Sequence, residues 1–253
     1  MGYIMRADGR KNSDLRPIKM EIGYLKHHEG SVMITAGNTK ILTLVTSENR
    51  VPPHRYEVGG WLSAEYNMLP GATNQRKPRP ITKLKNDGRS VEISRLIGRS
   101  IRQAVNLDAL GQRTLLIDCD VIQADAGTRC AAITGAYVAI CAHVASLIKS
   151  GQLKMTTMED VITRPIAAVS VGIKKGEILV DLTYDEDVAA DTDCNLVGST
   201  DGQIIEFQCT AEQKPMTKGH LDQIFDIGQK AIGHIIELQN RELLKQCGVM
   251  LHR

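Results

Sequence analysis

Val121-Ile-Gln-Ala-Asp-Ala-Gly-Thr-Arg129 joins an apolar run over residues 114–122 to a second over residues 130–148 through a short polar turn. The first run has the length of a buried strand and the second that of a helix apolar nearly all round, so the stretch predicts strand, turn, helix. Gly127 gives the turn a permissive backbone and Thr128 a hydroxyl and a candidate N-cap. Arg129 adds a fixed positive fork beside the unpaired N–H groups of a helix start. Together they outline an anion site. The competing reading is local: Thr128 caps a buried helix and Arg129 pairs with a surface carboxylate.

Outward from this centre, residues 15–17 open an extended segment. Residues 30–36 and 39–45 are β-type runs across the turn dipeptide Gly37-Asn38, and residues 61–68 interleave apolar and polar positions as a strand does. Residues 71–88 contain Pro78, Pro80 and much of the chain's basic charge, which predicts an exposed loop. Residues 92–105 place apolar side chains at 93, 96, 97, 101, 104 and 105, a helix with one buried stripe; Arg95, Arg99 and Arg102 share another face. Arg89 sits at the mouth of that helix, where its charge opposes the helix dipole and calls for an anion.

Beyond the central helix, residues 167–173 and 178–183 flank Lys174-Lys-Gly-Glu177. Residues 195–199 and 203–208 flank Thr200-Asp-Gly202, so two hairpins are expected before a last helix over about residues 219–245. Both halves of the chain end strand runs in a helix, a faint sign of duplication within one domain spanning 1–253, with halves of about 1–150 and 151–253. The class is α+β: mixed sheets with helices packed against them.

With 253 residues, 42% of them hydrophobic, the chain carries enough apolar material for a sizeable core. The polar start and the lack of an uninterrupted apolar run of membrane length lead us to expect a soluble, cytoplasmic protein with no membrane partner. Six cysteines form no Cys-x-x-Cys and three lie in apolar runs, so neither a structural disulfide nor a zinc site is expected. The net charge of +2 conceals an uneven distribution. Residues 73–102 hold nine Lys or Arg against Asp87 and Glu92, a basic segment suited to a phosphate backbone. Residues 181–193 hold six acids and no base. Glycine-rich dinucleotide and P-loop motifs, His-Glu-x-x-His and Gly-x-Ser-x-Gly are all missing, which removes support for those chemistries.

Within the acidic run, Asp181 and Asp187 bracket Leu-Thr-Tyr-Asp-Glu, so Asp181 leaves a strand end while Asp187 returns after a turn. Two converging carboxylates suit Mg²⁺, with waters and a substrate phosphate completing its shell. The alternative is a solvated acidic loop.

Eight segments, in order and across nearly the whole chain, resemble the bacterial ribonuclease PH family. They are Arg6-Ala-Asp-Gly-Arg10, Gly37-Asn-Thr, Gly60-Trp-Leu-Ser-Ala-Glu-Tyr-Asn-Met-Leu-Pro70, Gly88-Arg-Ser-Val-Glu-Ile-Ser-Arg-Leu-Ile-Gly-Arg99, Asp118-Cys-Asp-Val-Ile-Gln-Ala-Asp125, Gly127-Thr-Arg129, Asp181-Leu-Thr-Tyr-Asp-Glu-Asp187 and Thr210-Ala-Glu212. The resemblance implies a ribosomal protein S5 domain 2-like fold duplicated within the chain. It also implies a phosphate-dependent 3′→5′ exoribonuclease, a tRNA nucleotidyltransferase that trims tRNA precursors and releases nucleoside diphosphates, working as a homohexamer built from dimers. Carried onto this sequence, phosphate falls to Arg89, Thr128 and Arg129 with Gly127 in the same turn, catalysis and Mg²⁺ to Asp181 and Asp187, and RNA guidance to Arg76 and Arg79.

Three positions depart from the family pattern: Ala126 and Cys209 stand where glycine is usual, and Pro80 where an acid is common. The rival reading is a non-catalytic, RNA-binding ring subunit of an exosome-like assembly, which would keep the fold and lack the carboxylates and phosphate arginines. A generic RNA-binding protein is disfavoured, because two phenylalanines and one tryptophan leave few platforms for stacking bases.

Overall fold

Gly37, at φ 57°, closes the hairpin between β2 (Ser31–Ala36) and β3 (Thr39–Glu48), the turn that Gly37-Asn38 announces. In this computed structural model, which describes residues 6–79, 87–154 and 156–250, the hairpin is the middle of a five-stranded sheet. β1 (Ile18–Ile22) lies beyond β2, and β5 (Thr114–Gln123) and then β4 (Trp61–Met68) lie beyond β3. All pairs are antiparallel except β4 with β5. A parallel pair needs a crossover, and here it contains α1 (Gly88–Arg102). Pro80, Lys83 and Lys85, in the connection before α1, lie outside the described residues.

Alternation along the strands decides which face is covered. On β5, Leu115, Ile117, Cys119 and Val121 are buried against the helices, while Leu116, Asp118 and Asp120 face the other way and are half-buried. Ile93, Leu96, Ile97 and Ile101 of α1 are likewise buried. That helix stops at Arg102, short of the expected 105; Ala104 and Val105 are buried from the following turn, where Val105 bridges Ile162.

The second sheet, β7-β6-β8-β9, is antiparallel throughout: β6 (Ala167–Lys174), β7 (Glu177–Val180), β8 (Thr192–Gly198) and β9 (Ile204–Ala211). Two short helices, α3 (Met158–Val161) and α4 (Tyr184–Val188), flank its strands, and α5 (Lys218–Cys247) packs on β6 and β8. β7 ends at Val180, before the expected 183, because Asp181 takes a left-handed backbone at φ 53°.

Between the two sheets runs α2 (Thr128–Lys149), against β2 and β3 on one side and β6 and α5 on the other. It is long and apolar enough by composition to cross a membrane, yet it is largely buried inside the protein. Gly135 explains how close it lies: an added Cβ would come within 2.9 Å of Ile34 and 3.1 Å of Thr43. Sheets and helices thus form the expected α+β architecture.

One juxtaposition lies beyond the reach of spacing: Cys194 and Cys209 stand directly opposite each other with their sulfurs in contact, because the β8–β9 register aligns them. Spacing along the chain carries no trace of that register. Cys119, Cys130 and Cys141 are buried free thiols.

Candidate active site

Two consecutive left-handed residues, Ala126 at φ 56° and Gly127 at φ 62°, turn the chain from β5 into α2. Gly127 is the N-cap, so Thr128 is the first helical residue and not the cap expected of it. The first intrahelical bond is donated by the Ala131 N–H to the Gly127 carbonyl, leaving the preceding N–H groups pointing out of the helix start. No acid stands in that first turn. A Cβ on Gly127 would lie 3.0 Å from Arg16 Nη2, so glycine serves both the backbone angle and the close approach.

Thr128 is buried, and its Oγ1 accepts a hydrogen bond of 2.8 Å from the Tyr66 hydroxyl. Tyr66 comes from β4, where its own N–H donates to Ser94 Oγ of α1 at 2.9 Å. β4, α1 and the start of α2 are thereby locked together. Burial pushes the Tyr66 phenol up, while the nearby charges of Arg89 and Arg129 pull the other way. Both cations therefore lie within electrostatic reach of the Thr128 hydroxyl. Arg89 is the exposed second residue of α1, at the helix mouth as expected. Arg129 Nη1 donates to Gln208 Oε1 at 2.7 Å and lies 3.6 Å from Glu92 Oε1.

The acidic run is divided among several tasks. Asp181 carries no free carboxylate: Oδ2 accepts from the Arg16 N–H at 2.8 Å and from Arg16 Nε at 3.1 Å, and Oδ1 accepts from Arg16 Nη2 at 2.7 Å. Its carbonyl accepts from Arg6 and Arg10, each at 3.0 Å. Glu186 closes a two-bonded pair with Arg6 at 2.8 and 2.7 Å and caps α4 through the Thr183 N–H. Burial alone would raise the pKa of Glu186, but Arg6 overrides it and holds the carboxyl below its ordinary range. Asp191 pairs with Lys214 at 3.3 Å.

Asp185 is exposed, which leaves Asp187 and Asp193. Burial raises the pKa of Asp187, opposed by Arg89 and Arg129 and reinforced by Glu212. Burial also raises Asp193, and here the charge of Asp187 is the next largest cause. Asp187 accepts no side-chain hydrogen bond among the described residues, and Asp193 accepts one of 3.4 Å from Asn195. Asp187 thus feels the charge of Asp193, while Asp181 is held by Arg16 beneath the Gly127 turn. Sequence reading missed Asp193, Tyr66, Arg16 and Gln208. A signal for Asp193 was available, since it shares the acidic run and returns on β8.

The remaining arginines separate from this cluster. Arg99 pairs with Glu206 at 2.7 Å, and Arg102 stacks over Trp61 at 5.1 Å. With Arg95 they line a groove of about 570 Å³ between β4 and α1. Arg76 and Arg79 are exposed on the loop before residue 80. Among the described residues, no three His, Cys, Asp or Glu side chains group closely enough to hold a metal without help from a substrate or water.

Residues 14–144 match the 3′ exoribonuclease family, domain 1, and residues 164–231 its domain 2. Ribonuclease PH of Bacillus velezensis and that of Bacillus subtilis are each 46% identical over 241 residues, covering 94% of this chain and 97% of the relative. Among solved structures, the Archaeoglobus fulgidus exosome with RNA bound to the active site superposes with a TM-score of 0.77 at 20% identity over 92% of both chains. An archaeal exosome core does so at 0.72 and 18%, over 92% of this chain and 90% of the other. At such identities the structures speak for the fold, whereas the near-full-length relatives and the two matched domains show that this chain belongs to the ribonuclease PH family of 3′ exoribonucleases.

Proposed function

We propose that the chain shortens RNA from its 3′ end with inorganic phosphate as the nucleophile, releasing nucleoside diphosphates, and that its cellular substrates are tRNA precursors in the cytoplasm. One observation carries this reading: the Gly127 turn leaves the N-terminus of α2 open beside the Arg129 fork, and the charges of Arg89 and Arg129 both act on Asp187. Phosphate is held by the Thr128 hydroxyl, the free N–H groups of the first turn and the two guanidinium forks. A phosphate oxygen attacks the phosphorus of the last phosphodiester; the bond to the preceding 3′ oxygen breaks and the terminal nucleotide leaves as its diphosphate. Two anions must meet, and the arginines lower that repulsion.

The leaving 3′ oxygen needs a proton. Buried, mutually repelling carboxyls share one more readily than ordinary aspartates do, and we assign the donor as Asp187. Mg²⁺ takes one or two carboxylates and fills its shell with water and substrate phosphate; the residues that would hold it, as the resemblance implies, are Asp181 and Asp187, with Asp187 a ligand when ionised and a proton donor when protonated. When bound, the ion neutralises charge on the transferred phosphoryl oxygens. Arg76 and Arg79 guide RNA along its backbone. Membership of the ribonuclease PH family is what supports a homohexamer, a trimer of dimers.

The test is incubation of a short 3′-hydroxyl RNA with Mg²⁺, with and without phosphate. Diphosphates formed only with phosphate are expected. Monophosphates at the same rate without it make the protein a hydrolase, and no shortening at all makes it the non-catalytic ring subunit. Native mass measurement at several protein concentrations tests the ring.

A further inference from the structure

Gln208 lies on β9, opposite Asn195 of β8, and its amide crosses from the second sheet to the helices of the first. Oε1 accepts from Arg129 Nη1 at 2.7 Å, and Nε2 donates to Glu92 Oε1 at 3.1 Å. Arginine can only donate and an ionised glutamate can only accept, so the amide's orientation is dictated by its two neighbours. Without it, Arg129 and Glu92, already 3.6 Å apart, have every reason to close into a two-bonded ion pair.

We propose that Gln208 is a positioning residue for the phosphate nucleophile: it fixes the Arg129 fork with a neutral acceptor and draws Glu92 aside with a neutral donor, so that the positive charge of Arg129 stays available to an anion. The inference rests on reading the Gly127–Arg129 turn as the phosphate cradle. A carboxylate at 208 would hold the fork equally well in space and would cancel its charge. An apolar side chain would leave the charge and release the fork. These two losses differ in size, which separates positioning from simple packing.

The experiment measures the phosphate KM, kcat and RNA affinity of Gln208→Glu, Gln208→Met and Arg129→Ala in the full-length protein, with unfolding temperature alongside. Gln208→Glu should raise the phosphate KM by more than about tenfold and Gln208→Met by about threefold to tenfold, the range expected for an ordinary intramolecular hydrogen bond. RNA affinity should stay within about twofold of wild type in both. A phosphate KM within about twofold of wild type in both Gln208 variants, at any unfolding temperature, overturns the inference. Equal losses of RNA affinity overturn it too, assigning Gln208 to RNA instead. Arg129→Ala distinguishes the two failures. If it raises the phosphate KM while the Gln208 variants do not, only this inference falls; if it too leaves the KM unchanged, the phosphate cradle itself is wrong.

Discussion

Arg16 closes on Asp181 with both its main chain and its guanidinium, taking the two carboxylate oxygens in three hydrogen bonds of 2.7 to 3.1 Å. The same guanidinium donates to the Asp125 carbonyl and lies under Gly127. The pair therefore ties the end of β7 to the turn that begins α2. Both side chains are nearly sealed from water, with relative exposures of 4% and 10%. Removing one charge from a buried pair strands the other, so Asp181→Asn should cost about 3–5 kcal/mol of stability. Replacing both, as Arg16→Met with Asp181→Leu, should cost less than the single change. Urea unfolding of the three variants checks this; an unchanged midpoint for Asp181→Asn would return Asp181 to the role of a free ligand.

Asp187 should behave in the opposite way. Its pKa is raised in the folded protein, burial being the largest cause. An unfolded aspartate titrates near about 3.9. As pH rises through that value the unfolded chain ionises first, and folding stability declines until pH passes the folded pKa. Above both values the penalty is constant; below both it vanishes. Asp187→Asn should therefore stabilise the protein at neutral pH in metal-free buffer, with its advantage shrinking to nothing as pH falls through the carboxylate range, while turnover is abolished. Stability curves for wild type and variant that stay parallel from neutral to acid pH would refute the raised pKa.

Ala126 and Gly127 make a third comparison. A left-handed backbone costs an L-residue about 1–2 kcal/mol, while glycine forfeits about 0.5–1 kcal/mol of unfolded-chain entropy. Ala126→Gly should thus stabilise by up to about 1.5 kcal/mol. Gly127→Ala should lose more than Ala126→Gly gains, because its Cβ also meets Arg16 Nη2 at 3.0 Å, on a side chain pinned by Asp181. Thermal unfolding of the two variants should move in opposite directions.

Periodicity made the fold legible wherever burial has one dominant direction. Strand β4 over 61–68 begins and ends where the pattern says, and helix α2 over 128–149 follows its apolar run while starting one residue before the expected cap would allow. Ends set by contacts distant in sequence were not legible: β7 stops early where Asp181 turns to meet Arg16, and Cys194 meets Cys209 only through strand register. The anion half of the site was readable because glycine, hydroxyl and arginine are contiguous in the chain. The acidic half depends on contacts that spacing does not carry. Spacing along residues 181–193 treats six acids alike, whereas Arg16 and Arg6, more than 160 residues away in sequence, hold Asp181 and Glu186 and leave Asp187 to act on Asp193.

The arginines should separate by what each anion needs from them. Arg129 holds one fixed fork against Gln208 beside the α2 start, and Arg89 stands exposed at the mouth of α1, so both address a small anion at a defined point. Arg129→Ala and Arg89→Ala should raise the phosphate requirement steeply and slow turnover while RNA still binds. Arg76 and Arg79 are exposed on a loop and address a long polyanion. Their combined replacement by alanine should weaken binding of a tRNA precursor more than that of a short oligonucleotide, and should lower the slope of log affinity against log salt by about one unit per lost contact. The slope is the deciding measurement, because counterion release follows the number of backbone phosphates neutralised and is indifferent to the nucleophile. If Arg129→Ala lowered the salt slope and left the phosphate KM unchanged, the Gly127-Thr128-Arg129 turn would be gripping the RNA backbone, and the nucleophile would have to be sought elsewhere.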